Sequence, residues 1–129
     1  MATFTLPGGT VRSVPATGIL RFRASFTWEN GGHIGTTLFA PMLIVQEPLM
    51  MVGTALQAER ASFIALPGVR DRAQWVDAAR AADAEPPRPS ESGNGVRSVV
   101  LAGGVRLRLT ATVEEAQAAL DAARGALTV

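Results

Sequence analysis

The chain has 129 residues, 12 basic against 11 acidic for a formal charge of +1, with 47% hydrophobic and 18% charged residues and no cysteine. That length fits one ordinary domain, or two very small ones sharing a core. Disulfides, thiolate metal sites and cysteine nucleophiles are excluded, and the near-balanced charge argues against nucleic acid as a partner, which calls for a clear basic excess with aromatic residues among the basic ones.

All 12 basic residues are arginine. The charged fraction lies below the roughly 25% of ordinary soluble domains, so the chain carries more apolar surface than a small globule easily hides. The opening "MATFTLPGGTVRSV" lacks the charged start and long apolar run of a secretory signal, and the expectation is a cytoplasmic protein or one assembled into a virion. "FTL" and "TVRSV" around Pro7-Gly8-Gly9 predict a hairpin or an extended arm over residues 1–17.

"GILRFRASFTWE" alternates with a period of two: Leu20, Phe22, Ala24, Phe26 and Trp28 on a core face, Arg21, Arg23, Ser25, Thr27 and Glu29 on a wet face. "NGGHIG" predicts a reversal that sends residues 36–45 back alongside. The apolar stretch 35–56 contains Pro41, Gln46, Glu47 and Pro48 near its middle, which excludes a membrane-spanning helix. It reads instead as two buried strands, about 36–45 and 49–56, apolar on both faces. Leu38, Met42, Ile44, Leu49, Met50 and Val52 are therefore candidate interface residues, because a single sheet in a monomer would expose one such face.

From residue 57 the character changes. Phe63–Leu66 predicts a strand, Pro67-Gly68 a turn, and Trp75-Val76 a second apolar pair, with a short helical turn within 71–82. Residues 86–95, rich in Pro, Ser, Glu and Gly, predict a loop or exposed tip. "VRSVVLA" and "VRLRLTA" flank Gly103-Gly104 as a tight hairpin, Ala102 opposite Val105, Val100 opposite Leu107, and Ser98 opposite Leu109. Arg97, Arg106 and Arg108 share its other face, a candidate contact for carboxylate or phosphate, weighed against a solvated face whose arginine stems shield Val99 and Leu101. Thr112 and Glu115 form a capping box for a helix over about 113–124 with a buried stripe of Val113, Ala116, Leu120, Ala123 and Leu127, ending near Gly125.

The fold class expected is mainly β with an α+β character: a hairpin-rich antiparallel body and one C-terminal capped helix. Residues 1–62 form an N-terminal β-rich portion and 63–129 a hairpin-plus-helix module, with one shared core. From "FIALPG" through "QWVDAARAADAEP" to "VRSVVLAGGVRLRLTATVEEAQAAL", the order of elements resembles the small FlbD-like module of bacterial flagellar operons and of uncharacterised bacterial and phage proteins, over residues 63–124. The resemblance implies a small regulatory binding module and brings no catalytic residues.

Catalytic chemistry is not legible. His33 is the sole histidine, in a glycine-rich turn without a partner for a metal shell. Asp71, Asp77, Asp83 and Glu85 lack the spacing of a calcium loop and read as solvated acids or partners of Arg70, Arg72 and Arg80. No phosphate cradle or nucleophile elbow is present, so no catalytic, metal or cofactor residue is assigned, and a non-enzymatic protein is expected. Two functions follow: an oligomeric structural or assembly protein, such as a phage capsid decoration (cement) subunit bound to itself or a larger scaffold, or a small regulatory module touching a protein or nucleic acid through the arginine hairpin.

Overall fold

The computed structural model describes residues 1–26, 28–29, 35–39 and 42–126, the side chain of Ala126 excepted. Its centre is an antiparallel sheet of five strands: β3 (Arg21–Ala24), β4 (Thr36–Phe39), β5 (Leu43–Val45), β6 (Phe63–Leu66) and β7 (Gln74–Asp77), in the order β5-β4-β3-β7-β6. Strands from both portions of the chain thus share one sheet. Two hairpins flank it, β1 (Ala2–Thr5) with β2 (Val11–Val14), and β8 (Ser98–Ala102) with β9 (Val105–Leu109). The helices are α1 (Leu49–Glu59) and α2 (Val113–Ala126).

The register assigns side chains to two faces. Phe22 pairs with Leu38 and Trp75, and Phe63 and Val45 fall on the same side, where they pack with Val52 and Leu56 of α1 and with Phe4 and Val14 of the first hairpin. Phe22 stacks on Trp75 at 5.3 Å between ring centroids. On the opposite side, Leu66 and Val76 meet Val100, Leu107 and Leu109 of the second hairpin and Ala116, Leu120 and Ala123 of α2. Burying each large apolar side chain contributes about 2 kcal/mol.

The mainly β, α+β architecture matches the sequence pattern, including several particulars. Gly103 and Gly104 have φ of +59° and +77°, and the hairpin register is the one expected. Thr112 Oγ1 accepts from Glu115 N at 3.1 Å while Thr112 N donates to Glu115 Oε1 at 3.1 Å, closing the capping box. Helix α2 continues through Gly125, which is not its terminator. The N-terminal segment is a hairpin docked by Thr5, whose amide and hydroxyl donate to the Glu47 carboxylate. Thr27, His33 and Leu127, assigned above to the wet face, the reversal and the helix stripe, lie outside the described residues.

Besides residues 36–45, which are the antiparallel pair β4 and β5 and not one strand, three expectations are corrected. Residues 49–56 form α1, not a strand: Leu49, Met50, Met51, Ala55, Leu56 and Gln57 are helix formers without β-branching, and Pro48 starts the helix by accepting the amides of Met51 and Val52. A short apolar run does not by itself distinguish strand from helix. The alternating stretch 20–29 is a strand only over 21–24; beyond it the chain turns, Glu29 N donating to Phe26 O, and Trp28 is 77% exposed. The third concerns Arg21, on the presumed wet face, which is only 8% exposed because β3 has neighbours on both edges and the β8–β9 turn lies over it. Within 71–82, residues 74–77 are a strand, and a single turn follows it, Arg80 N and Ala81 N both donating to Asp77 O.

A candidate anion-binding cleft

Among the described residues, α2 and the β8–β9 hairpin cover the second face of the sheet mainly at its β6–β7 end, with the β8–β9 turn reaching Arg21 on β3. At the other end, the residues pointing the same way include Arg21, Arg23, Thr37, Phe39 and Ile44. Between the Arg21 and Arg23 side of β3 and the β9 strand lies a cleft of about 790 Å³, lined by Arg21, Arg23, Arg70, Arg72, Arg106 and Arg108 and by Phe26, Trp28 and Gln74. Glu91 is the single acid in that lining.

The arginines are held in different ways. Arg23 pairs in bidentate fashion with Glu29, Nη1 to Oε1 at 2.7 Å and Nη2 to Oε2 at 3.1 Å. Glu29 also accepts the Phe26 amide at 2.7 Å and the Thr37 hydroxyl, so it pins the turn carrying Phe26 and Trp28 to the sheet. The Arg23 hydrogen bonds hold the Glu29 carboxyl below its usual range, against the opposing effect of burial. Arg106 grips Glu91 with Nε at 2.7 Å and Nη2 at 2.9 Å, and its Nη1 reaches Glu85. Glu91 in turn accepts the Arg88 amide, and its pKa falls from 4.5 to about 2, first through Arg106. Residues 86–95 are the mostly exposed loop that the sequence predicts, and the clasp holds its Glu91 against β9, so that Glu91–Asn94 line one side of the cleft.

Arg21 is bound otherwise. Its Cζ lies 3.7 Å from the centroid of the Phe39 ring, and its Nε is buried with no hydrogen-bond partner among the described residues. Burial lowers its pKa first, and the neighbouring Arg23 charge adds to this. A buried guanidinium without a carboxylate is rare, because desolvating the charge is costly unless an anion answers it. Arg70 adopts φ 60°, ψ 37°, followed by Asp71 at φ 58°, a left-handed backbone that costs about 1–2 kcal/mol per residue without glycine. Such strain clusters at ligand clamps. Of the six lining arginines, Arg23 and Arg106 are ion-paired, leaving Arg21, Arg70, Arg72 and Arg108 with no ion pair among the described residues. Arg72 instead stands 5.0 Å from the Phe26 ring centroid.

The residues singled out from the sequence divide. Leu38 and Val52 are wholly buried in the chain's own core and present nothing to a partner. Leu49 is half-buried against that core, and Ile44 is half-buried on edge strand β5. Met42, Met50 and Met51 are 56%, 68% and 57% exposed. Among the hairpin arginines, Arg108 lines the cleft, Arg106 is occupied in its wall, and Arg97 is exposed and outside the lining.

Of the two readings for Asp77, a solvated acid or a partner of a nearby arginine, the second holds, with Arg80 as the partner. Asp77 is fully buried at the end of β7, accepting from Ser62 Oγ at 2.6 Å and from Arg60 Nε and Arg80 Nε at 2.7 Å each. Burial raises its pKa, and these three donors outweigh that, leaving it below the usual carboxylate range. Arg80 also donates to the carbonyls of Thr17 and Ile19, so this cluster ties the 16–19 turn to the sheet and is structural. Among the described residues, no three His, Cys, Asp or Glu side chains gather as a metal shell, and no helix is long and apolar enough to cross a membrane.

Sequence reasoning missed Arg21, Arg23, Arg70, Arg72, Phe26 and Trp28 as a group. The spacing of Arg21 and Arg23 on one strand face was a usable signal; their meeting with Arg70, Arg72 and Arg108 depends on tertiary structure. No protein-family model, curated protein or solved structure matches the chain.

Proposed function

We propose that this chain is a non-catalytic binding module that holds an anionic partner in the arginine cleft. Arg21 carries the reading: a cation 8% exposed, stacked on an aromatic ring and lacking a counter-charge, in a lining with three other unpaired arginines. A ligand phosphate or carboxylate would supply the missing acceptor, and the guanidinium fork suits either in bidentate geometry. The small regulatory module implied by the FlbD-like pattern accords with this, with the contact surface moved from the hairpin face to the cleft. Fluorescence anisotropy with a labelled polyanion at low salt tests it. Wild type should bind, and the double variant Arg21→Met, Arg70→Gln should lose most of that affinity; equal binding by both would refute the reading.

A second reading, assembly as an oligomeric structural subunit such as a capsid decoration protein, draws on Met42, Met50 and Met51. Exposed methionines suit an adaptable protein interface. Residues 49–56 are a helix covering the sheet and not a doubly buried strand, so this reading rests on the three methionines alone. Light scattering on the wild type and on Met50→Asp tests it: an oligomer that the substitution returns to monomer supports assembly, and a wild-type monomer removes the self-assembled form.

A further inference from the structure

We infer that the anionic partner is a single strand of nucleic acid, its phosphates held by the unpaired arginines and a base stacked on Trp28; this rests on the cleft reading above. Trp28 is 77% exposed, yet it is not loose: its ring stacks on Phe26 at 4.6 Å between centroids and 24° between planes. Phe26 carries Arg23 at 3.8 Å and Arg72 at 5.0 Å, and Glu29 fixes the turn beneath. The result is a supported aromatic face left open to solvent at the edge of a cationic cleft.

A basic groove tracking the backbone, combined with aromatic rings on which bases stack, is the pattern of sequence-tolerant single-strand binding. An acidic peptide would use the arginines but has no use for an open aromatic face. A duplex fits poorly, because its bases are already paired and stacked on one another, leaving none free to lie on the open Trp28 face. The volume of about 790 Å³ falls within the roughly 300–1,000 Å³ of ligand pockets, suited to a short stretch of strand.

Near-balanced overall charge does not weigh against this, because the charges are segregated. Many of the acids are engaged elsewhere, Asp77 with Arg60 and Arg80 and Asp83 with Arg124, while the cleft concentrates four unpaired cations.

The test uses three probes: a mixed-sequence oligonucleotide of roughly ten nucleotides, an abasic strand of the same length, and polyglutamate of matched charge, with binding read by anisotropy and tryptophan fluorescence. Trp75 is buried, so quenching reports on Trp28. The oligonucleotide should bind about tenfold more tightly than either other probe and quench the emission. Trp28→Ala should abolish that advantage while leaving abasic binding unchanged, Trp28→Phe should restore much of it, and Arg21→Met should weaken all three probes. Equal binding of the oligonucleotide and the abasic strand, or tighter binding of polyglutamate or of the matching duplex, would overturn the nucleic-acid inference and leave the anion cleft standing. Failure of every probe to bind would overturn both.

Discussion

The Arg21 guanidinium lies over the Phe39 ring, 3.7 Å from its centroid, across the paired strands β3 and β4. The two residues face each other in register, so the sheet itself holds the contact. Packing on a ring compensates part of the desolvation of a buried cation but provides no hydrogen-bond acceptor.

The first prediction sets stability against binding. Arg21→Met keeps an unbranched apolar stem on Phe39 and removes the unanswered charge. The thermal midpoint should stay level or rise, while polyanion affinity falls about tenfold, the pattern of a site whose function costs stability. A clear drop in the midpoint would make Arg21 a structural residue.

Gly53 in α1 sits against Trp75, where an added Cβ would lie 2.6 Å from the indole ring. Gly53→Ala should therefore destabilise by about 1–3 kcal/mol in urea unfolding despite alanine's better helix propensity. A stabilised variant would show that α1 does not pack as closely as described.

Much of the fold was legible, and the misses share a physical cause. The Gly103-Gly104 turn and the Thr112–Glu115 box are local signals in which a few consecutive residues determine the backbone. The alternation at residues 20–29 fails past Ala24 because the pattern records side-chain chemistry but not where the ladder ends. Helix α1 was hidden because an apolar run bounded by proline fits either state until Val52 and Leu56, one turn apart, are seen buried together. The cleft was least legible of all: Arg21, Arg70 and Arg108 lie on separate elements and meet only through the strand order and the docking of the second hairpin.

Asp77 answers two arginines at once, so replacing it strands both. Asp77→Ala should cost about 3 kcal/mol, measured by chemical denaturation at neutral pH. Because its folded pKa is depressed, its contribution is present above the unfolded carboxyl value and is lost as pH falls through the lower folded one. The gap between wild type and Asp77→Asn should accordingly narrow on acidification below about pH 4. A gap that widened in acid would contradict the direction of the shift.

The Glu91–Arg106 clasp follows the same sign. With a pKa lowered from 4.5 to about 2, its contribution is complete above about pH 4.5 and fades as pH approaches 2. Glu91→Gln should expose residues 86–97 to limited proteolysis at neutral pH, where wild type resists. Equal cleavage of both would mean that the clasp does not hold the wall.

The central claim is that four unpaired arginines make this cleft an anion site, and the salt dependence of single-strand binding tests it most directly. Between about 50 and 200 mM salt, log affinity should fall linearly with log salt at a slope of about −3, as expected for four neutralised phosphates, and Arg108→Gln should make the slope shallower by about 0.7. No measurable binding at the low end of that range, or a slope unchanged in Arg108→Gln, would contradict the account.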